Sequence, residues 1–407
     1  MKKALMLFTL GMLTLVACEK KFVPEAPTKD ASLKGEEVSV KEFPADVKKI
    51  FVLNEGQMGA NNATLDFLRR SDGQYITGAF KKMNPSAAAG LGDVGNDIAI
   101  HDDNVWMVIN NSGLVEVVSA ADETEIAVIE IPTPRNVAFD DKYAYVTSWA
   151  GAFATYGPDY TVTDSANPKG CVYRIDLSTY KVEGNVEVGY QPEGIAYYGG
   201  KLYVANSGGI SSLLPPLYAY DNTVSVIDTK SFTVTGTVEV EVNPKNVYAD
   251  GKGHIFVTTL GNYYDVDSGL YVFPAANPDH VTHIARDFLK HTHVSCSFAL
   301  GEEIFCIGTE NEFAFNEEHV YVLWSYNGVK DKVTLYPVIL DNVPYSMGVV
   351  EDDMGLRTLL VGNVLLVNRN ADYFNPGTVT CYRLYDLQDK VWSVTAGVCP
   401  GHFAVWK

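Results

Sequence analysis

The chain has 407 residues, 50 acidic against 31 basic, for a formal charge of −19 at neutral pH. A field of that sign repels phosphate backbones and anionic lipid surfaces, which argues against nucleic acid as a partner. Apolar residues make up 47% of the chain, enough to bury a sizeable core.

Residues 1–17 read as a secretion signal. Lys2 and Lys3 precede an apolar core from Ala4 to Leu15, which ends in Leu15-Val16-Ala17-Cys18. That core is too short to span a bilayer. A small residue before a cysteine has the form of a lipobox, so Cys18 is expected to be the acylated first residue of a bacterial lipoprotein; an ordinary signal with an incidental cysteine is the alternative. Without the leader the chain carries 29 basic and 50 acidic residues, a charge of −21. Residues 18–47, with Pro24, Pro27, many charges and few large apolar groups, are expected to form a lipidated flexible tether with a reach of about 30 Å. The acyl group would supply the membrane affinity that the acidic body lacks.

Residues 48–407 are expected to be one all-β domain, a seven-bladed β-propeller. A motif of proline, two variable residues and an apolar residue opening a short strand recurs at Pro134, Pro192, Pro244, Pro344 and Pro400, and Gly95 and Ser295 take the proline position in two further copies. The apolar anchors Ile98, Val137, Ile195, Val247, Phe298, Met347 and Phe403 are spaced by 39, 58, 52, 51, 49 and 56 residues, the period of propeller blades. Short β-rich runs separated by Gly, Pro, Asn, Asp and Ser supply the outer strands, as in Val172 to Asp176 and Val224 to Asp228. The last anchor has no outer strands after it, whereas Lys49 to Leu53, Ala63 to Phe67 and Tyr75 to Thr77 have no inner strand before them. Pairing the C-terminal strand with these N-terminal strands closes the ring and protects the sheet edges. An open sandwich or two β domains is the competing reading.

Cys171, Cys296, Cys306, Cys381 and Cys399 include no Cys-x-x-Cys pair, which excludes a zinc ribbon. Cys296 and Cys306 flank the turn at Gly301-Glu302, and two readings stay open for them: a disulfide across a hairpin, or buried thiols.

The long insertions fall in one loop class, between the second and third strands of a blade, which opens on the same face as the loop leading into the inner strand. They carry Trp149, Phe153, Tyr156 and Tyr160, then Tyr218 and Tyr220, Tyr263 and Tyr264, Phe313 and Phe315, and Tyr373 and Phe374. Aromatic rings in loops offer large contact area with few rotors, as in a binding surface; a self-contained lid is the alternative. Trp149, Phe153, Tyr156, Tyr220, Tyr264, Phe315 and Tyr373 are therefore candidate ligand contacts. Around the channel mouth the inner-strand entry loops would supply Asn96, Asp97, Arg135, Asn136, Gln191, Glu193, Lys245, Asn246, His291, His293, Tyr345, Ser346 and His402, a polar set suited to an amide- or hydroxyl-rich small molecule, and of these Arg135, Asn136, Glu193, Asn246, His293 and His402 join the candidate ligand contacts. No nucleophile elbow, His-Glu-x-x-His or phosphate-binding glycine loop is present, so no catalytic residue is assigned. His293 and His402 with Glu193 could form a metal or acid–base cluster or simply line a hydrated channel, and no metal is assigned. Asp265, Asp267 and Ser268 form only a partial calcium-type pattern.

Asn54-Glu55-Gly56 with Asn62-Ala63-Thr64-Leu65-Asp66, and Pro192-Glu193-Gly194-Ile195-Ala196 with Leu202-Tyr203-Val204-Ala205-Asn206, resemble the YncE-like propellers of Bacteroidetes. Among these the chain is most similar to the cobalamin-capturing surface lipoproteins of the BtuG type. The resemblance covers essentially the whole mature chain, through motifs that are mainly those of the fold. It implies a binding protein rather than an enzyme, with no required cofactor and a corrinoid such as cobalamin (vitamin B12) as ligand. It also implies a BtuB-type TonB-dependent transporter as partner, and lipid attachment at the outer membrane on the cell surface, with the periplasmic side as alternative. Such lipoproteins usually carry an acidic cluster after the acylated cysteine, where this chain has Glu19-Lys20-Lys21. The other functional readings are an envelope scaffold for glycan or protein, and a lactonase- or quinoprotein-like enzyme.

Overall fold

A computed structural model describes residues 29–87, 90–151, 155–156, 162–164, 169–210, 218–263, 265–284, 294–309, 321–336, 343–352, 354–367, 370–384 and 386–407. Cys18 lies outside the described residues. Among those described, no helix is long and apolar enough to cross a membrane.

Seven antiparallel sheets follow one another around a ring. Numbered by their inner strands, blades 1 to 7 begin with Gly95–His101, Pro134–Phe139, Pro192–Tyr198, Pro244–Ala249, Cys296–Leu300, Val343–Glu351 and Pro400–Trp406. All seven expected anchors lie in these strands, and each inner strand contacts the next, the seventh returning to the first. Blade 7 is composite: Pro400–Trp406 pairs with Lys49–Asn54, which pairs with Thr64–Arg69 and then Gln74–Ile76. The chain ends thus close the ring as expected.

Among the described residues the core consists of seven apolar clusters, one between each pair of neighbouring blades. In blade 1 Val105, Met107 and Ile109 face blade 7, while Trp106 and Val108 face blade 2. Both faces of a sheet are therefore buried, which is why its second strand reads as a continuous apolar run rather than as an alternation.

The proline motif has a structural meaning beyond its period. In blades 1, 2, 3, 4, 6 and 7 the inner strand carries a β-bulge, one extra residue against its partner, directly after the Pro or Gly position. Five of these strands are preceded by a non-glycine residue with positive φ: Val94, Thr133, Gln191, Asn243 and Cys399 at 62°, 39°, 46°, 62° and 52°. That left-handed step is strained for a side chain other than glycine, and for Val and Thr most of all. It turns the chain sharply into the inner strand, and the bulge then re-aims the next two side chains toward the channel mouth.

The part of the expected tether that is described, 29–47, lies on the propeller. Glu36–Glu37 adds an edge strand to Gln74–Ile76, and Phe43 and Val47 are buried between blades 6 and 7. Asp30, fully buried, meets Lys49 Nζ at 3.0 Å and Arg69 Nη1 at 3.3 Å, and Lys49 continues to Glu123 of blade 1 at 2.6 Å. Gly35 has no alternative, because a Cβ there would lie 1.8 Å from the Tyr75 carbonyl oxygen. Charge and proline content suggested a tether here, but paired charges and two apolar anchors are enough to hold an extended segment against a sheet edge.

Cys296 and Cys306 are buried thiols, as are Cys171, Cys381 and Cys399. Cys296 stands opposite Ile307 and Cys306 opposite Ser297, so the two side chains leave opposite faces of the sheet.

Candidate functional site

The bulge places two residues per blade at the channel mouth. The first of the pair is Asn96, Arg135, Glu193, Lys245, Tyr345 and Gly401 in blades 1, 2, 3, 4, 6 and 7; the second is Asp97, Asn136, Gly194, Asn246, Ser346 and His402. Equivalent positions of neighbouring blades meet side by side. Arg135, Glu193 and Lys245 of blades 2, 3 and 4 accordingly form one ion triad, in which Glu193 Oε2 accepts from Arg135 Nε at 3.0 Å, Arg135 Nη2 at 2.9 Å and Lys245 Nζ at 2.8 Å. Burial works to raise the Glu193 pKa, but the two cations and their hydrogen bonds outweigh it and hold the carboxyl below its ordinary range. Gly194 lets the next blade approach, since a Cβ would stand 2.6 Å from the Val247 nitrogen.

Among the described residues, two recesses open on this face. The central one, about 460 Å³, is lined by Glu55, Asn96, Asp97, Asn136, Asn246, Ser297, Tyr345 and His402 together with Arg135 and Lys245. Tyr345 donates to Glu55 Oε2 at 2.6 Å, and His402 Nε2 lies 3.2 Å from Glu55 Oε1 without the alignment of a hydrogen bond. For Glu55, too, burial is outweighed, by His402 first, and its carboxyl is held low; for Asp97 burial prevails and pushes it up, although the Val137 amide donates to it at 2.9 Å.

The second recess, about 320 Å³, lies beside the first between blades 2, 3 and 4, and shares Arg135, Lys245 and Leu260 with it. Trp149, Tyr220 and Tyr263 form its aromatic wall, with Gln191 and Glu193 at its polar side. The Arg135 guanidinium stacks over the Trp149 ring, 4.5 Å from its centroid, and Tyr220 meets Tyr263 edge to face at 6.3 Å.

Of the expected contacts, the structure brings Arg135, Trp149, Glu193 and Tyr220 to the side recess and Asn136, Asn246 and His402 to the central one. Tyr373 lines neither; half-exposed, it packs behind Tyr345 at 6.0 Å. Tyr156 lies in the short strand Thr155–Tyr156, which pairs with Val162–Asp164. Phe153, Tyr264, His293 and Phe315 lie outside the described residues. Glu193 serves the cations and His402 faces Glu55, so these two do not form one acid–base cluster; among the described residues no three His, Cys, Asp or Glu side chains converge as metal ligands. The partial calcium pattern is dispersed, because Asp265 accepts from Asn262 Nδ2 at 2.6 Å and Ser268 Oγ accepts from the Val294 amide at 2.7 Å. Glu55 was not expected here; Asp97, Lys245 and Tyr345 were expected at the channel mouth and Tyr263 among the loop aromatics, but none was chosen as a ligand contact, although the repeat phase of Lys245 and Tyr345, two before an anchor, marks them.

No family model and no curated protein matches the chain. Among solved structures it is similar to a functionally unknown protein from Desulfotomaculum acetoxidans DSM 771, with a TM-score of 0.55 and 12% identity over 88% of this chain and 98% of that one. It is also similar to hydrazine synthase of Kuenenia stuttgartiensis, with a TM-score of 0.54 and 16% identity over 76% of this chain and 88% of that one. The likeness is one of fold. At such identities a shared propeller carries no ligand or activity with it.

Proposed function

We propose that the protein is a lipid-anchored binding protein of the outer membrane that holds a corrinoid on this face and passes it to a TonB-dependent transporter. The observation that carries the reading is the pairing of an aromatic wall, Trp149, Tyr220 and Tyr263, with a polar central recess across the shared Arg135 and Lys245. A corrin ring with amide side arms presents flat apolar surface and many amides, and would occupy both recesses by many individually weak contacts. The resemblance to the cobalamin-capturing propellers supports the same ligand class, and the lipobox at Cys18 supports the anchor.

Calorimetric titration of the purified Cys18→Ala protein with cyanocobalamin tests the reading. Saturable heat and a pink protein are expected. Neither heat nor colour would overturn it and promote a glycan or protein scaffold.

A further inference from the structure

We propose that the side recess is an oxyanion subsite, built to take a carboxylate or phosphate ester group attached to the flat body of the ligand. The inference refines the binding reading above and rests on it for the ligand as a whole, while its own grounds lie in the charge and donor count of this recess.

Three charged side chains line the recess among the described residues: Arg135, Lys245 and Glu193. They leave an excess of one positive charge in a chain of net charge −19. Glu55 of the adjoining recess also draws on Lys245, while screening confines the repulsion of the more distant carboxylates to about 8 Å at physiological salt. Only Glu193 Oε2 takes hydrogen bonds from the two cations, and it receives them from Arg135 Nε, Arg135 Nη2 and Lys245 Nζ. Among the described residues the hydrogen bonds of these cations are those three, which leaves Arg135 Nη1 and two N–H groups of Lys245 for other acceptors. Gln191 Nε2 is buried in the same recess and has no hydrogen-bond partner among the described residues. The buried Gln191 amide is costly to leave unpaired, and the spare N–H groups of Arg135 and of Lys245, which is 31% exposed, are donors that an incoming oxygen can take over from solvent.

The geometry favours an anion over a neutral hydroxyl-rich ligand. Glu193 commits Oε2 to the cations and keeps Oε1 as an acceptor, so the donors left on Arg135, Lys245 and Gln191 outnumber the acceptor left on the triad. Stacking on Trp149 at 4.5 Å fixes the guanidinium plane, which presents its Nη1 edge without reorganisation on binding. Tyr220 and Tyr263 then stand ready for the ring that carries the oxyanion.

The test uses the full chain with Cys18→Ala and two small probes, 1-naphthyl phosphate and 1-naphthol, titrated by calorimetry. The phosphate is expected to bind more tightly by about tenfold or more, the scale of one hydrogen bond to a charged group. Lys245→Met should remove most of that preference and Lys245→Arg should retain it, with both variants melting near the parent. Equal binding of the two probes, binding of neither, or a preference unchanged in Lys245→Met would overturn the subsite. Cyanocobalamin, which carries a phosphodiester, and dicyanocobinamide, which lacks it, separate this inference from the corrinoid reading. If neither corrinoid binds while the naphthyl preference holds, the corrinoid falls and the subsite stands; if both bind equally and the naphthyl preference is absent, the subsite falls and the corrinoid stands.

Discussion

Trp149 and Tyr373 were equivalent in the sequence, each an aromatic residue in a long loop, and the structure separates them. Trp149 walls a recess and carries the Arg135 guanidinium, whereas Tyr373 backs Tyr345 from outside. Trp149→Ala is expected to weaken cyanocobalamin binding by roughly 1–3 kcal/mol, and Tyr373→Ala to leave it nearly unchanged, both measured by calorimetry. Glu116 offers a second residue-scale test, away from the site. It is buried in blade 1 with Oε1 unpartnered, and burial first, then the neighbouring Glu125, raise its pKa from 4.5 to about 8. The folded protein therefore keeps this proton to higher pH than the unfolded chain does. Its contribution favours folding most below 4.5, declines as pH rises to about 8, and is flat above. Glu116→Gln should remove that decline, so the gap in urea midpoint between variant and parent should widen in favour of the variant across this window. Glu123, also raised to about 7 by burial despite Lys49, titrates in the same range in both proteins and cancels in the comparison.

At the scale of the element, the bulge does the positioning. Proline spacing was legible because a residue without an N–H is tolerated at the start of a strand, where no ladder bond is lost, so the motif recurs once per blade. The bulge itself was not legible, since its extra residue looks like any other in an alternating run, and the left-handed residues before it are Val, Thr, Gln, Asn and Cys rather than glycine. The ion triad could have been found: Arg135, Glu193 and Lys245 each stand two residues before an anchor in consecutive blades, and such phases become neighbours in a ring. Tyr263 could not be distinguished from Tyr264, because a loop has no period to choose between adjacent rings. The N-terminal strap is the other element: 29–47, expected to be part of a flexible tether, lies against the propeller. Asp30→Ala, which leaves Lys49 and Arg69 short of a buried partner, should lower stability by about 3–5 kcal/mol in urea unfolding. A loss below 1 kcal/mol, the scale of exposed ion pairs, would show that the strap contributes little.

For the whole molecule, closure was read correctly because counting strands at both ends leaves each incomplete without the other. Removing residues 400–407 deletes the inner strand of blade 7 and exposes the edge of Lys49–Asn54. The truncated chain is expected to aggregate or to lose cooperative unfolding, and a melting temperature near that of the full chain would refute the closure. Attachment is tested separately: Cys18→Ala should move the protein from the membrane to the soluble fraction, judged by immunoblot after a salt wash. The strap also sets a direction. Strand Lys49–Asn54 runs toward Glu55 and the recesses, so Asp30, Lys49 and Glu123 lie at the opposite end of the ring from the face that carries the recesses. Tension arriving along the chain from residue 29 meets that ion cluster first. Any remainder enters a strand hydrogen-bonded on both sides, to Pro400–Trp406 and to Thr64–Arg69. Force along such a strand must shear both ladders at once instead of peeling one bond after another, so a protein tugged from this end would keep the geometry of its far face until the closing blade itself tore.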